Sequence, residues 1–147
     1  VPVYRAPNNP YIHWLIKKIR GESIAKGRRG ARQILKKLQD GSMVIFLNDQ
    51  RMHDGIKARF FNRPAMTATA IAELALRHNY PIYPIQVIRK NSQFILKISK
   101  LNFGEVIKSN THHEKVVDIV QYINDLTEKW IRENPAQWLW IHNRWKL

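Results

Sequence analysis

Apolar and polar positions alternate along this chain with periods that change from segment to segment. Tyr11, Leu15, Ile16 and Ile19 recur at helical spacing, with Lys17, Lys18 and Arg20 between them. Asn9-Pro10 supplies an N-cap and a first-turn proline ahead of them, and Gly21 ends the run. A second helix is predicted from about Arg29 to Gln39, with Ala31, Ile34, Leu35 and Leu38 as its apolar stripe and Gly41 as its C-terminal glycine. Residues 43–47, MVIFL, form a short continuous apolar run, the pattern of a strand buried on both faces. The polar stretch 48–65, NDQRMHDGIKARFFNRPA, reads as a long loop of the functional or mobile kind. Thr67 is the expected start of a third, small-faced helix through Ala70, Ile71, Leu74 and Ala75. Residues 81–88 and 93–99 read as two strands across an Arg-Lys-Asn-Ser turn. A long amphipathic helix follows, with Val116, Val117, Val120, Ile123, Leu126 and Trp130 on its apolar side, and Pro135 begins a last short helix.

This order predicts an α/β fold, a mixed β-sheet flanked by helices, in one domain segment spanning residues 1–147. No internal repeat, low-complexity segment or linker interrupts it. The opening VPVYR alternates like a strand entered midway, with neither a signal peptide nor an initiator Met. The chain is therefore expected to be the later part of a longer protein. No stretch approaches the ~18 apolar residues of a spanning helix.

Composition narrows the partners. Hydrophobic residues make up 44% and aromatic residues 10%, a folding composition. Lys and Arg number 25 against 11 Asp and Glu, a formal net charge of +14. That imbalance predicts an anionic partner: nucleic acid, an acidic membrane face, a phosphorylated substrate or an acidic protein. With no cysteine, disulfides, thiol catalysis and the common zinc sites are excluded.

Several segments are candidates for chemistry. Asp49 and Gln50 follow the apolar run 43–47, and ligands of open α/β sheets bind beyond the carboxyl ends of strands. Asp49 there orients a partner, holds a cation, or caps a turn. KGRRGAR, residues 26–32, is either a phosphate seat before a helix or a solvated basic loop, and its spacing matches no P-loop or dinucleotide fingerprint. Phe60 and Phe61 beside Arg59 and Arg63 suit either a membrane interface or a plug over a core. His113 and Asp118 have a His-x4-Asp spacing, but on a helix the two side chains point roughly 140° apart, so they are read as part of a helix start and not as an acid/base pair. No HExxH, GxSxG or EF-hand pattern occurs. The last ten residues carry three of the five tryptophans. On a helix Trp138, Ile141 and Trp145 would share one face and Trp140 and Arg144 another, a pattern of core plus interface that suits a membrane surface or the stacking of bases.

Taken in order, these blocks resemble the lipid A biosynthesis acyltransferases, the lauroyl or myristoyl transferases of Gram-negative bacteria. The matching segments are YRAPNNPYIHWLIKKIR, DGSMVIFLNDQ, FFNRPAMTATAIAELALRHNYPIYPI and ENPAQWLWIHNRWK, which cover nearly the whole chain. The resemblance implies a partial glycerolipid acyltransferase fold and transfer of a fatty acyl chain from acyl-acyl carrier protein to a hydroxyl of a lipid A precursor. It implies no cofactor and no metal. A substrate-binding set of Arg5, Asn9, Arg20, Asp49, Gln50, Phe60, Phe61 and Thr67 follows from it. Arg5 and Arg20 would meet phosphate or the developing oxyanion, Asp49 would orient a catalytic His or an Arg, and the two phenylalanines would line acyl or membrane contacts. Trp138, Trp140, Arg144 and Trp145 carry a membrane or structural role.

The family's membrane anchor and its catalytic His-x4-Asp/Glu motif precede the Tyr-Arg segment, so both are expected upstream of Val1, and the segment by itself is expected to be catalytically incomplete. The partners implied are acyl-acyl carrier protein, a lipid A precursor and the anionic cytoplasmic face of the inner membrane, with no nucleic acid. Two other readings fit parts of the sequence: a glycerophospholipid acyltransferase, and a basic nucleic-acid-binding module. The second lacks any helix-turn-helix, RNP, KH or zinc-finger pattern.

Overall fold

Capping chemistry and turn chemistry decide most element boundaries in the computed structural model, which describes residues 1–4, 7–25, 27–50, 52, 54–139 and 143–145, without the side chains of Arg20 and Arg28. The chain is an α/β arrangement in two units, Val1–Leu47 and Asn48–Leu147.

In the first unit, strand β1 (Val3–Tyr4) leads to helix α1 (Pro10–Arg20). The Asn9 side chain accepts from the backbone N–H of Tyr11 at 2.9 Å and of Ile12 at 3.3 Å, and Gly21 closes the helix at φ 65°. Strand β2 (Ile24–Ala25) pairs parallel with β1, and helix α2 (Arg28–Gln39) returns over it. Gly30 makes that return possible: a Cβ there would lie 1.9 Å from the Ala25 carbonyl oxygen. The run 43–47 differs from the expected doubly buried strand. Among the described residues it joins the pairing through one bridge, Ile45 with Pro2, and Met43, Ile45 and Leu47 share an exposed face. Pairing on one edge satisfies its backbone only locally, with Val3 N–H donating to Ile45 O and Ile45 N–H to Val1 O.

In the second unit, strands β3 (Ile56–Phe60) and β4 (Arg63–Thr67) form an antiparallel hairpin inside the stretch expected to be loop. Its two-residue turn, Phe61-Asn62, has φ 50° and 59°, the left-handed pair that matches strand twist. Thr67 ends β4, and helix α3 (Ala70–His78) starts only at Ala70, with Thr69 as its N-cap residue. Strands β5 (Ile85–Lys90) and β6 (Gln93–Ile98) form a second hairpin around Asn91-Ser92, close to the predicted turn. The short helix α4 (Phe103–Val106) precedes α5 (His112–Glu133), whose Thr111/Glu114 capping box fixes its start. A 3-10 turn, Pro135–Gln137, follows where Pro135 predicts a helix start.

The core of this unit lies between the inner face of β3–β4 and α5. Ala58 stands opposite Ala65 in the hairpin, and the small pair lets α5 approach closely. Val116, Ile119 and Val120 pack on Ala58 with Ala72 of α3, Leu101 and Val106, while Ile131 packs on Phe60 and Ala65. Two glutamines close strand edges with their amides. Gln121 accepts from Arg59 N–H at 2.9 Å and donates to Arg59 O at 3.0 Å, and Gln137 does the same at Arg89, at 2.8 Å and 3.0 Å. The Val87, Phe94, Leu96 and Ile98 face of the β5–β6 hairpin is exposed. Among the described residues no helix is long and apolar enough to cross a membrane.

Candidate functional site

The second unit concentrates the functional candidates around one buried guanidinium. Arg144 is 2% exposed, although Arg is almost never fully buried without partners. Its Nη2 donates to Thr67 Oγ1 at 3.1 Å and to Asn124 Oδ1 at 3.2 Å. Its Nη1 donates to the Asn48 carbonyl at 3.4 Å, a long contact. The plane of the guanidinium sits over the Phe60 ring, 4.6 Å from its centroid. Burial pushes the Arg144 pKa below its ordinary value, and the nearby Asp49 charge opposes that shift. The group stays a cation, since arginine starts from so high a value.

Rigid elements hold three of its neighbours, Phe60 on β3, Thr67 on β4 and Asn124 on α5. Thr67, at the end of β4, donates to the Ala65 carbonyl and accepts from both Asn124 Nδ2 and Arg144. Asn124, 1% exposed, sits on the buried stripe of α5 and also donates to Arg59 O at 3.1 Å. A polar residue at that place is tolerable because its amide is bonded on both sides. Asn48, Asp49 and Gln50 are half-buried and lie just before Met52, whose N–H donates to Met66 O of β4. Two buried donors in this neighbourhood, Arg144 Nε and Asn48 Nδ2, have no partner among the described residues. Among the described residues no three His, Asp or Glu converge as a metal site would require.

The aromatic candidates belong to the wall behind this cluster. Phe60 is fully buried, its ring edge-on to Phe61 and stacked on Trp145 at 5.8 Å. Trp145 Nε1 donates to Phe60 O at 2.9 Å, and Trp138 packs against the same group. Phe61 is half-buried, with the Arg132 guanidinium over its ring and its N–H donating to Glu128 Oε1 at 2.5 Å. Core packing is thus the geometry in which Phe60, Trp138, Arg144 and Trp145 are found, and Trp140 lies outside the described residues.

The remaining candidates stand in the first unit. Asn9 spends its side-chain oxygen on capping α1. Arg20 closes that helix, and its side chain is not described, while Arg5 lies outside the described residues. Tyr4, beside Arg5, is buried, and its hydroxyl is 2.9 Å from His13 Nε2. Asp49, Gln50, Phe60, Phe61 and Thr67 thus fall in one unit and Asn9 and Arg20 in the other. His113 and Asp118 do not form a pair. Asp118 accepts from the backbone N–H groups of Lys108 and Ser109, at 2.9 and 3.0 Å, and so fastens the loop before α5.

Sequence reasoning missed Asn124 and the hub role of Arg144. Asn124 had a readable signal: it follows Val116 and Val120 at intervals of four on the apolar stripe of a long helix.

The chain belongs to the bacterial lipid A biosynthesis acyltransferases, whose family model matches residues 1–147. It is thus an acyltransferase of lipid A synthesis. No curated protein matches it in sequence.

Proposed function

We propose that this protein transfers a fatty acyl chain from acyl-acyl carrier protein to a hydroxyl of a lipid A precursor, at the cytoplasmic face of the inner membrane of a Gram-negative bacterium. The observation that carries this reading is the family match along the whole chain. The substrate hydroxyl attacks the thioester carbonyl, the hydroxyl proton passes to a general base, and the carrier's thiol departs. The base is the His of the family's His-x4-Asp/Glu motif. The one such spacing in this chain, His113 to Asp118, has its carboxylate engaged by the loop before α5. Asp49 supplies a carboxylate beyond the apolar run 43–47, where it orients the catalytic imidazole or a phosphate-binding Arg. The +14 charge suits the acidic carrier protein, the phosphates of the acceptor and the anionic leaflet.

The test is acyl transfer by the full-length protein with labelled acyl-acyl carrier protein and a lipid A precursor. Asp49→Ala is expected to lower turnover on the order of 100-fold, the scale of a misplaced reacting group, with an unchanged melting temperature. Unchanged turnover would remove Asp49 from the reaction. Transfer to glycerol phosphate instead of the lipid A precursor would move the protein to the glycerophospholipid branch.

A further inference from the structure

We propose that Arg144 is a positioning residue for acyl transfer: its guanidinium holds the Asn48–Gln50 segment, and with it the Asp49 carboxylate, in the arrangement the reaction uses. This rests on the acyl-transfer reading above.

A cation at 2% exposure is an expensive choice for filling space. An apolar side chain of similar volume commonly serves a core as well or better. What the guanidinium adds is a rigid fork of donors with charge. One side of the fork is immobilised: Nη2 is fixed by Thr67 on β4 and Asn124 on α5, and the plane rests on Phe60 of β3. The other amino group, Nη1, then points from a fixed base at the carbonyl of Asn48. That carbonyl opens the segment carrying Asp49 and Gln50, which belongs to no helix or strand of its own. Arg144 thus reaches back across 96 residues of sequence to a segment outside the regular elements.

The unpartnered donors point the same way. Arg144 Nε and Asn48 Nδ2 are buried without an acceptor among the described residues. A buried donor left so loses its hydration without a replacement. The Asp49 carboxylate is next to Asn48 in the chain and near enough to act on the Arg144 charge. It has only acceptor capacity, up to about four lone-pair sites. Neither donor is hydrogen-bonded to that carboxylate, so the Nη1 contact with the Asn48 carbonyl is what ties the segment to Arg144.

The experiment is a double-variant cycle in the full-length enzyme with Arg144→Lys and Asp49→Asn, followed with enzyme in excess so that residual transfer is measurable. Lys keeps the charge and loses the fork. Arg144→Lys is expected to lower kcat about tenfold or more with KM within about twofold, and to add no further loss in the Asp49→Asn background, as residues acting as a unit behave. Thr67→Val, which removes one anchor of Nη2 and leaves the guanidinium, is expected to show the same pattern at smaller size, and it serves if Arg144→Lys does not fold. Losses that multiply in the double variants, or that track only the folded fraction at assay temperature, overturn the positioning role while Asp49 keeps its part. Full turnover by Asp49→Asn overturns both.

Discussion

Asp118 is a carboxylate whose surroundings have a readable consequence in pH. Its oxygens accept the backbone N–H groups of Lys108 and Ser109, and the first of these is the main cause that holds its pKa below the ordinary 3.8. A depressed carboxylate contributes stability that is fully present above its unfolded value and is lost as pH falls through the lower folded value. Glu73 adds to the same acid limb, held low first by its hydrogen bond with His112 and then by Arg77. Asp118→Asn should therefore unfold at lower urea than the parent at neutral pH, and the gap should close as pH drops below 3.8. A gap that stays constant into strong acid would mean the loop does not depend on the ionised form. Asn124 makes the complementary point, since its amide works without any charge, between Arg59 O, Thr67 and Arg144.

Elements here are joined by close backbone approaches and by side chains that imitate backbone. Gly30 lets α2 lie on β2, and a methyl group added there would sit 1.9 Å from Ala25 O, which is backbone and cannot swing aside. Gly30→Ala gains helix propensity and loses that approach, and overpacking of this kind costs about 1–3 kcal/mol, more than the propensity returns. Thermal unfolding checks the sign: a variant as stable as the parent would show that α2 shifts freely. The elements legible in the sequence were those whose signals are local. Asn9-Pro10 with Gly21, Gly41 after α2, the Asn91-Ser92 turn and the long apolar stripe of α5 all lie within a few residues of what they specify. The β3–β4 hairpin was not legible, because Phe61-Asn62 adopts the left-handed turn without a glycine and Pro64 sits inside the second strand. Thr67 read as a helix start because threonine caps helices, yet its hydroxyl is spent on Asn124 and Arg144. Near this cluster the sequence marks Asp49 and Gln50 only as polar residues at the end of an apolar run. The contacts around it join residues 48, 67, 124 and 144, a grouping that no period or motif encodes.

At the scale of the whole molecule, charge is the property that sets encounter. The first unit, Val1–Leu47, carries ten of the 25 Lys and Arg residues against two acidic ones, so the positive surplus is densest there. Attraction of that kind is screened beyond roughly 10 Å at 0.1 M salt, and it acts on approach more than on the bound state. If the donor is an acidic carrier protein, kcat/KM for it should fall steeply as salt rises while kcat changes little, because the chemical step takes place after docking. The same chain should sediment with vesicles containing anionic lipid and leave zwitterionic vesicles behind. A kcat/KM indifferent to salt would remove charge from donor recognition. Retention on DNA with no preference for anionic lipid would instead favour a nucleic-acid partner for the basic surface. The β5–β6 hairpin sharpens the vesicle measurement: its exposed Val87, Phe94, Leu96 and Ile98 are uncharged, so binding that survives high salt would be apolar in origin, and binding lost at high salt belongs to the lysines and arginines.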